Sequence, residues 1–430
     1  MRSQALDPAD LRPRVRKALR AIMILGGSTA LGQLLLVAVT PLVTRLYTPA
    51  AIGLFTLYFT YVAFVQSGSS LMYSTAIPAA ISEGEARTLT RLSLTLSVPY
   101  AILGAAAFFM LRQLDLLGFS HFPLVASLLC AVSLALTGAF TTFRYLLVRH
   151  REYRGIARAL LGQNGARAIG QVGGGLLSAT WWTMALSDVV GRLFGILPGL
   201  RLLRAQPISE PAPSAQAVAR RYRSFPLIYL PSILIDNFVV WLPLPLITAH
   251  YGLAAGGYFA IVIRVVGLPL GVIAASVADV FHGELALIAR SGQSAHQLFR
   301  RTAALLTAIG VPLALLLYFL GGPVLVTVLG HQWTQAGALC SVMAPWFLLQ
   351  FIVSPLSRVV LVYEAQAWKL GYDVLALGAT CAAYAIAVAR HLSLLDFVGW
   401  LSTFSAVTYV VYFLILVWVV RSRGATVCAE

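Results

Sequence analysis

The sequence is poor in charge. Only 11% of its 430 residues are Asp, Glu, Lys or Arg, whereas a soluble domain carries about 25%. The deficit runs along the whole chain, which excludes a soluble domain with one anchor and leaves a chain embedded in a bilayer. Lysine is nearly missing: of 31 basic residues only Lys17 and Lys369 are lysines. With no GxxxxGK[ST] run there is no P-loop, and no ATP site is recognisable. Cysteine is sparse as well. Cys130, Cys340 and Cys381 lie in apolar runs and Cys428 in the tail, with no CxxC pair, so neither a disulfide framework nor a zinc site is expected. The seven histidines show no metal-ligand spacing, and Gly173-Gly174-Gly175 follows a helical pattern where a dinucleotide loop would follow a strand. No cofactor and no metal are expected. One set of loops is short throughout, the longest near 112–121, which leaves no room for the catalytic loops of a membrane glycosyltransferase or polymerase.

What the chain does have is apolar sequence: 59% hydrophobic residues and a mean hydropathy of +0.83. A hydrocarbon core of about 30 Å needs roughly 20 apolar residues per helix. That ruler marks spans near 21–44, 51–80, 92–111, 122–143, 155–177 and 179–200. Beyond a polar gap it marks 225–248, 253–278, 302–325, 336–357, 370–389 and 395–420. The first span follows a basic stretch (Arg12, Arg14, Arg16, Lys17, Arg20) and is too long for a signal-peptide core, so it reads as uncleaved. The fifth is the least apolar, interrupted by Arg158, Gln163, Asn164, Arg167 and Gln171.

A net charge of +16 would suggest nucleic acid in a soluble protein. Here the basic residues gather in alternate loops. One set of loops and both ends hold 25 of them, the opposite set only Arg45, Arg112 and Arg390, and Arg167, Arg192 and Arg264 fall inside spans. By the positive-inside rule both termini face the cytoplasm of a bacterial inner membrane, and no nucleic-acid partner is expected.

The polar stretch 201–224 (RLLRAQPISEPAPSAQAVARRYRS) reads as a cytoplasmic linker between an N-terminal half, 1–200, and a C-terminal half, 225–430. At an offset of 204, residues 41–55 match residues 245–259 without gaps, with eight identities: Pro41/Pro245, Leu42/Leu246, Thr44/Thr248, Tyr47/Tyr251, Ala50/Ala254, Ala51/Ala255, Gly53/Gly257 and Phe55/Phe259. Six spans separate the two segments, so the repeat is parallel. The fold expected is an all-α polytopic membrane protein of about 12 transmembrane helices. Its two six-helix halves are related by a pseudo-two-fold axis along the membrane normal and enclose a central cavity.

Charges inside the bilayer are the candidates for function, because an Arg or Asp at a helix centre costs about 2.5–3.5 kcal/mol on insertion scales. Gln163, Arg167 and Gln171 recur every four residues with Asn164 beside them, one polar stripe that cannot face lipid. We read it as lining a wet cavity. Asp188 and Arg192 stand at i, i+4 in the sixth span, the spacing of a direct salt bridge. Asp236 and Arg264 each lie eleven residues from a span start, about 16 Å deep at 1.5 Å per residue. They can pair with each other, or Arg264 can be held for an anionic cargo while Asp236 takes a proton. Asp373, near a span end, reads as interfacial. Gly267/Gly271 and Gly170/Gly174 have the small-xxx-small spacing of close helix packing.

At these residues the chain resembles the polysaccharide-synthase family of O-antigen flippases, the Wzx type, within the superfamily of multidrug, oligosaccharidyl-lipid and polysaccharide exporters. The segments that carry the resemblance are TPLVTRLYTPAAIGLFTLYFT (40–60), YRSFPLIYLPSILID (222–236), GGYFAIVIRVVGLPLGVIAASVADVFHGELA (256–286) and AGALCSVMAPWFLLQFIVSPLS (336–357). The resemblance implies a V-shaped bundle around a cationic cavity. It implies as cargo an undecaprenyl-diphosphate-linked oligosaccharide, carried from the cytoplasmic to the periplasmic leaflet and met by arginines such as Arg264, Arg167 and Arg192. Ion coupling through Asp236 or Asp188 would drive it. Membrane lipids, and the polymerase and chain-length regulator of the same pathway, would be its partners, and it would act as a monomer and not as an enzyme. Relatives often carry an acidic residue after the tyrosine that ends the second span, whereas this chain runs Tyr73-Ser74-Thr75-Ala76-Ile77-Pro78. A multidrug or cation antiporter of the same fold is the alternative. It would want carboxylates at mid-membrane depth, where three arginines here stand against two aspartates.

Overall fold

A computed structural model describes residues 8–205, 212–290 and 294–426. Among these residues there is no strand. The first part of the chain forms α1 (Pro8–Leu46), α2 (Pro49–Gln66), α3 (Glu83–Gln113), α4 (Val125–Arg149), α5 (Tyr153–Leu177) and α6 (Trp181–Ala205). A short α7 (Ala215–Arg221) leads to α8 (Leu230–Trp241), α9 (Pro243–Tyr251), α10 (Leu253–Val262) and α11 (Leu268–Arg290). The chain ends with α12 (His296–Leu329), α13 (Thr334–Leu356), α14 (Arg358–Val362), α15 (Gln366–Ala389) and α16 (Leu394–Thr426).

Nine segments of the described residues are long and apolar enough to cross a membrane, and a tenth is counted if Ala215–Arg221 and Phe225–Trp241, bent by 52°, form one span. The protein is therefore a multi-pass helical membrane protein. The two 25-residue helices α5 and α6 are outside that count. They carry Arg167, Asp188 and Arg192, charges that lower their hydropathy below that of a lipid-facing span.

Helix starts follow local chemistry. Thr48 accepts a hydrogen bond from the Ala51 N–H ahead of Pro49. Ser82 does the same for Glu85, whose carboxylate in turn accepts from the Ile81 N–H at 2.7 Å. The turns before α10 and after α12 use Gly252 (φ 88°) and Gly330 (φ 104°), where a side chain would be strained.

Several expected boundaries need correction. The second span, expected as 51–80, breaks after Gln66: Ser70, Leu71 and Met72 take left-handed φ, and a 3-10 stretch follows to Ala79. The break is held by Ser70, whose hydroxyl meets that of Ser97 at 2.9 Å, and by Tyr100, which donates to the Val65 carbonyl at 2.7 Å. The seventh span, expected as one helix over 225–248, is a π-helical turn Phe225–Tyr229 followed by α8 and α9. The eighth contains a π-helical turn, Ile263–Gly267, between α10 and α11. Within the stretch 201–224, Arg201–Ala205 continues α6 and Ala215–Arg221 is α7, while residues 206–211, like Cys428, lie outside the described residues.

The apolar cores give the bundle its shape. At one end a single core joins residues from both parts of the chain, including Val43, Tyr47, Phe55, Tyr58 and Trp181 with Ile247, Phe259, Trp333 and Phe397. At the other end there are two separate cores. One holds Ala76, Leu89, Phe143, Leu146 and Val218, and the other Phe281, Phe299, Leu356 and Leu416. The bundle is thus sealed at the end that carries the 47–48 and 252 turns, and split at the end that carries the 80–82 and 151–152 turns. Linker helix α7 is fastened to the first part at the split end, through Arg221–Glu85 at 3.2 Å and Tyr73 donating to the Ala219 carbonyl.

Two features tie the sealed end. The Trp333 indole N–H donates to the Thr44 carbonyl at 3.0 Å, beside Gln332 on the same oxygen. Helices α2 and α10 cross at Gly53 and Gly257, where a Cβ on Gly53 would overlap the Leu253 carbonyl and one on Gly257 the Pro49 carbonyl. The contact is reciprocal at the offset of 204 found in the repeat, since 49 pairs with 253 and 53 with 257. Tyr47 and Tyr251, another matched pair, each donate to a backbone carbonyl, of Gln171 at 2.8 Å and of Leu392 at 3.1 Å.

Candidate functional site

Helices α5 and α6 approach closely because small residues face each other: a Cβ on Gly170 would press on Ser187, and one on Gly191 on the Gln163 carbonyl. Across this tight contact lies a buried ionic cluster. Arg192 donates through Nε to Asp188 at 2.7 Å, the expected i, i+4 bridge. Arg167, from α5, reaches the other oxygen of Asp188 at 3.6 Å. Asp188 is 1% exposed and the two arginines 4% and 11%, so two cations share one anion and a positive charge is left over. Arg192 also donates to Gln66 of α2 at 3.2 Å and to Thr137 of α4. The Arg167 guanidinium lies 4.4 Å from the Phe59 ring centre and 5.6 Å from that of Phe55, a cation–π placement that partly replaces lost water.

The polar stripe of α5 spreads over three neighbours. Gln163 packs beside Gly195 of α6, Asn164 against Gly32 of α1, and Gln171, fully buried, accepts from Arg264 at 3.2 Å. Arg264 projects from the π-helical turn and donates also to the Leu36 carbonyl of α1 at 3.1 Å. A π-helical turn carries an extra residue and re-aims its side chains. Here it sends Arg264 across to α1 and α5. Among the described residues no carboxylate stands within ion-pair distance of Arg264, so the pairing with Asp236 is not formed. Two buried donors in this layer lack a hydrogen-bond partner, Arg167 Nε and Gln171 Nε2. Unpaired buried donors are uncommon and call for an acceptor.

Below this layer, toward the split end, a cavity of about 420 Å³ separates the two parts of the chain. Gln33 of α1, Arg144 of α4 and Leu160 of α5 line one side, and Leu268, Gly271, Ala275 and Asp279 of α11 the other. Gln33 is three residues from Leu36 and Leu268 four from Arg264, so the cavity stops one helical turn short of the Arg264–Leu36 bridge. The stripe residues therefore stand at the cavity's head and do not form its wall. Gly271, expected as a close-packing position, faces open space in this cavity, where an added Cβ would meet nothing within 4 Å.

Asp236 has a different partner from the one weighed in the sequence. Lys369 of α15 donates to it at 2.5 Å and to both oxygens of Asp373 at 2.6 and 2.7 Å. Asp373, read as interfacial, is 7% exposed and is the buried member of this group. The cluster stands in the wall of a second cavity, of about 450 Å³, between α2, α8, α10, α13, α15 and α16. Lys369 escaped the sequence reading because Asp236 lies on another helix, although Asp373 stands at i, i+4 on its own. The i, i+4 spacing of Lys369 and Asp373 was the available signal.

The fold is similar to that of solved membrane transporters of the MOP superfamily. The multidrug-resistance MATE transporter of that superfamily in its inward-facing conformation is 14% identical over 93% of this chain and 98% of its own, with a TM-score of 0.70. The lipid II flippase MurJ in its inward closed conformation is 12% identical over 95% and 90%, with a TM-score of 0.72. A MOP-superfamily transporter from Pyrococcus furiosus is 17% identical over 95% and 96%, with a TM-score of 0.60. These likenesses establish the fold. No curated protein sequence matches the chain. The family of polysaccharide biosynthesis proteins matches residues 42–338, and the chain belongs to that family.

Proposed function

We propose that this protein is a flippase that carries an undecaprenyl-diphosphate-linked oligosaccharide from the cytoplasmic to the periplasmic leaflet of a bacterial inner membrane. The observation that carries the reading is the cationic head of the inter-half cavity. Arg264 has no carboxylate, Arg167 and Arg192 share one, and two buried donors await an acceptor. A diphosphate supplies acceptor oxygens that match forked guanidinium donors. Membership in a family of polysaccharide biosynthesis proteins supports the sugar half of the cargo. A multidrug exporter of the same fold would want carboxylates where these arginines stand.

The mechanism we infer is alternating access by two six-helix halves. Twelve spans result when α5, α6 and the bent pair leading into α8 are counted as crossing. The reciprocal contact at Gly53 and Gly257 supports a pseudo-two-fold axis along the membrane normal, passing between those glycines. The split end faces the cytoplasm with both termini, as the loop charge requires. Cargo then enters beside α1 and α11, the diphosphate meets Arg264, and opening of the sealed end releases it. An ion gradient or removal of the cargo on the far side drives the cycle. The polymerase and chain-length regulator of the pathway are the expected consumers, and one chain suffices for transport.

Deletion of the gene tests the class. Oligosaccharide-lipid facing the cytoplasm should accumulate, as read by mass spectrometry of membrane lipids with protease-free sidedness labelling. Normal levels of that intermediate together with normal surface glycan would rule the flippase out.

A further inference from the structure

The second cavity is lined by a different chemistry from the cationic head, and the diphosphate has no use for it. It holds three kinds of group. Trp346, half-buried and stacked on Phe259 and Phe347 with ring centres 6.3 and 6.2 Å away, forms an aromatic wall with Trp241 and Tyr409. Threonine hydroxyls at Thr60, Thr380 and Thr408 each give their proton to a carbonyl of their own helix, at 2.8, 3.0 and 2.8 Å. Their oxygens are left as acceptors. The third group is Asp236, held by Lys369 against Asp373, with its side chain 54% exposed.

A fourth observation is independent of these. Trp241 is 7% exposed and lines the cavity, yet its indole Nε1 has no hydrogen-bond partner. A buried indole donor without a partner is costly unless a ligand supplies an acceptor.

Apolar ring faces, many acceptors, a fixed carboxylate and a few donors describe the complement of a pyranose. A sugar ring is apolar on its C–H faces, which lie flat on aromatic rings. Its edge carries hydroxyls that donate in pairs to a carboxylate. The volume, about 450 Å³, falls within the usual range of about 300–1,000 Å³ for small-molecule sites. A free metal ion fits less well, because the Lys369 ammonium already occupies the place between the two carboxylates. Two aspartates against one lysine leave one negative charge, so an acidic sugar is repelled.

We propose that the cavity lined by Trp346, Trp241 and Asp236 is a glycan subsite for neutral or amino sugars, separate from the arginine head that takes the diphosphate. It rests on the flippase reading for the source of the sugar and deepens it: acid-rich repeat units are selected against by Asp236. Lys369 and Asp373 act through Asp236 as positioning residues, fixing its carboxylate.

The test uses the full-length protein in lipid nanodiscs and saturation-transfer NMR with N-acetylglucosamine, methyl mannoside and glucuronate, in sodium-free and sodium-containing buffer. Neutral sugars should receive magnetisation, with glucuronate about fivefold weaker. Trp346→Ala should weaken the neutral sugars about tenfold, Trp346→Phe should restore most of the signal, and Arg264→Ala should leave it unchanged. Asp236→Asn should bring glucuronate up to the level of the neutral sugars. The proposal falls if folded protein transfers nothing to any neutral sugar, or if the signal survives Trp346→Ala. It falls also if Arg264→Ala abolishes the signal, or if sodium alone perturbs tryptophan fluorescence through Asp236 while sugars do not. A failure here leaves the accumulation of oligosaccharide-lipid in the deletion strain untouched, so the two readings fail separately.

Discussion

Arg192 has a carboxylate at 2.7 Å and Arg264 has none within ion-pair distance, so their surroundings should report their loss differently. Asp188→Asn strands two buried guanidinium groups, and breaking such a cluster costs about 3–5 kcal/mol. Membrane abundance and the thermal midpoint should both fall, as read by immunoblot and by unfolding of purified protein. Arg264→Ala removes a charge that neutralises no partner. Abundance should stay normal while surface glycan is lost, and Arg264→Lys should restore only part of it, because a point charge replaces a fork. Recovery of glycan in an Arg264→Ala, Asp236→Asn double variant would contradict this, since the two side chains share no contact and their effects should add. Much of this layer was legible in the sequence. The i, i+4 spacing of Asp188 and Arg192 and the four-residue recurrence on α5 are local and helical. That Arg167 joins Asp188 was not legible, because it depends on the rotation of α5 against α6. The Lys369–Asp236 pair spans 133 positions, and no local pattern encodes a partner so distant.

At the scale of helices, the sequence marks where spans lie better than where they break. Prolines are frequent in the spans, yet α2 ends at Gln66 through Ser70, Leu71 and Met72 in left-handed conformation with no proline among them. The π-helical turn at Ile263–Gly267 is where Pro269 acts, since it has no N–H for the Val265 carbonyl four residues back and its ring crowds that oxygen. The break after Gln66 has tertiary partners instead, Tyr100 on the Val65 carbonyl and Ser97 on the Ser70 hydroxyl. Glycines behave likewise, since equal spacing hides different roles. Gly53→Ala or Gly257→Ala puts a Cβ into a backbone carbonyl that cannot move aside, and each should cost about 1–3 kcal/mol as overpacking. Gly271→Ala adds its Cβ to open space and should leave the unfolding midpoint where it was. Thermal unfolding of the three purified variants checks the contrast, and equal midpoints would remove the α2–α10 crossing as a structural pivot.

At the scale of the whole molecule, two sequence features foretell the architecture. The loop imbalance of 25 against 3 supports the orientation we propose, and the 41–55 to 245–259 repeat coincides with the crossing that ties the sealed end. What the sequence does not reveal is which end is closed, because that depends on side chains from both parts meeting or failing to meet in one core. Labelling of single cysteines should place positions 84, 152 and 215 on the cytoplasmic side and 47, 117, 252 and 332 on the outer side.

The sealed and split ends allow a sharper test of movement. In a background with the native cysteines replaced, Thr44→Cys with Gln332→Cys joins the two parts of the chain across the sealed end, where Gln332 and Trp333 already bond to Thr44. Leu160→Cys with Ala275→Cys faces across the inter-half cavity at the split end. If the structure is the resting state, a short cleavable bis-thiol reagent should link the first pair and miss the second. A small impermeant thiol reagent applied from the cytoplasmic side should reach only the second. Linking the first pair should stop export of glycan, and cleavage of the reagent should restore it, because alternating access requires that end to open. Rocking halves predict one further result. When an anionic lipid diphosphate is added, the second pair should begin to link and the first should link less. Linking that is equal at the two ends and indifferent to the diphosphate would leave the bundle rigid, and the two-half mechanism would be lost with it.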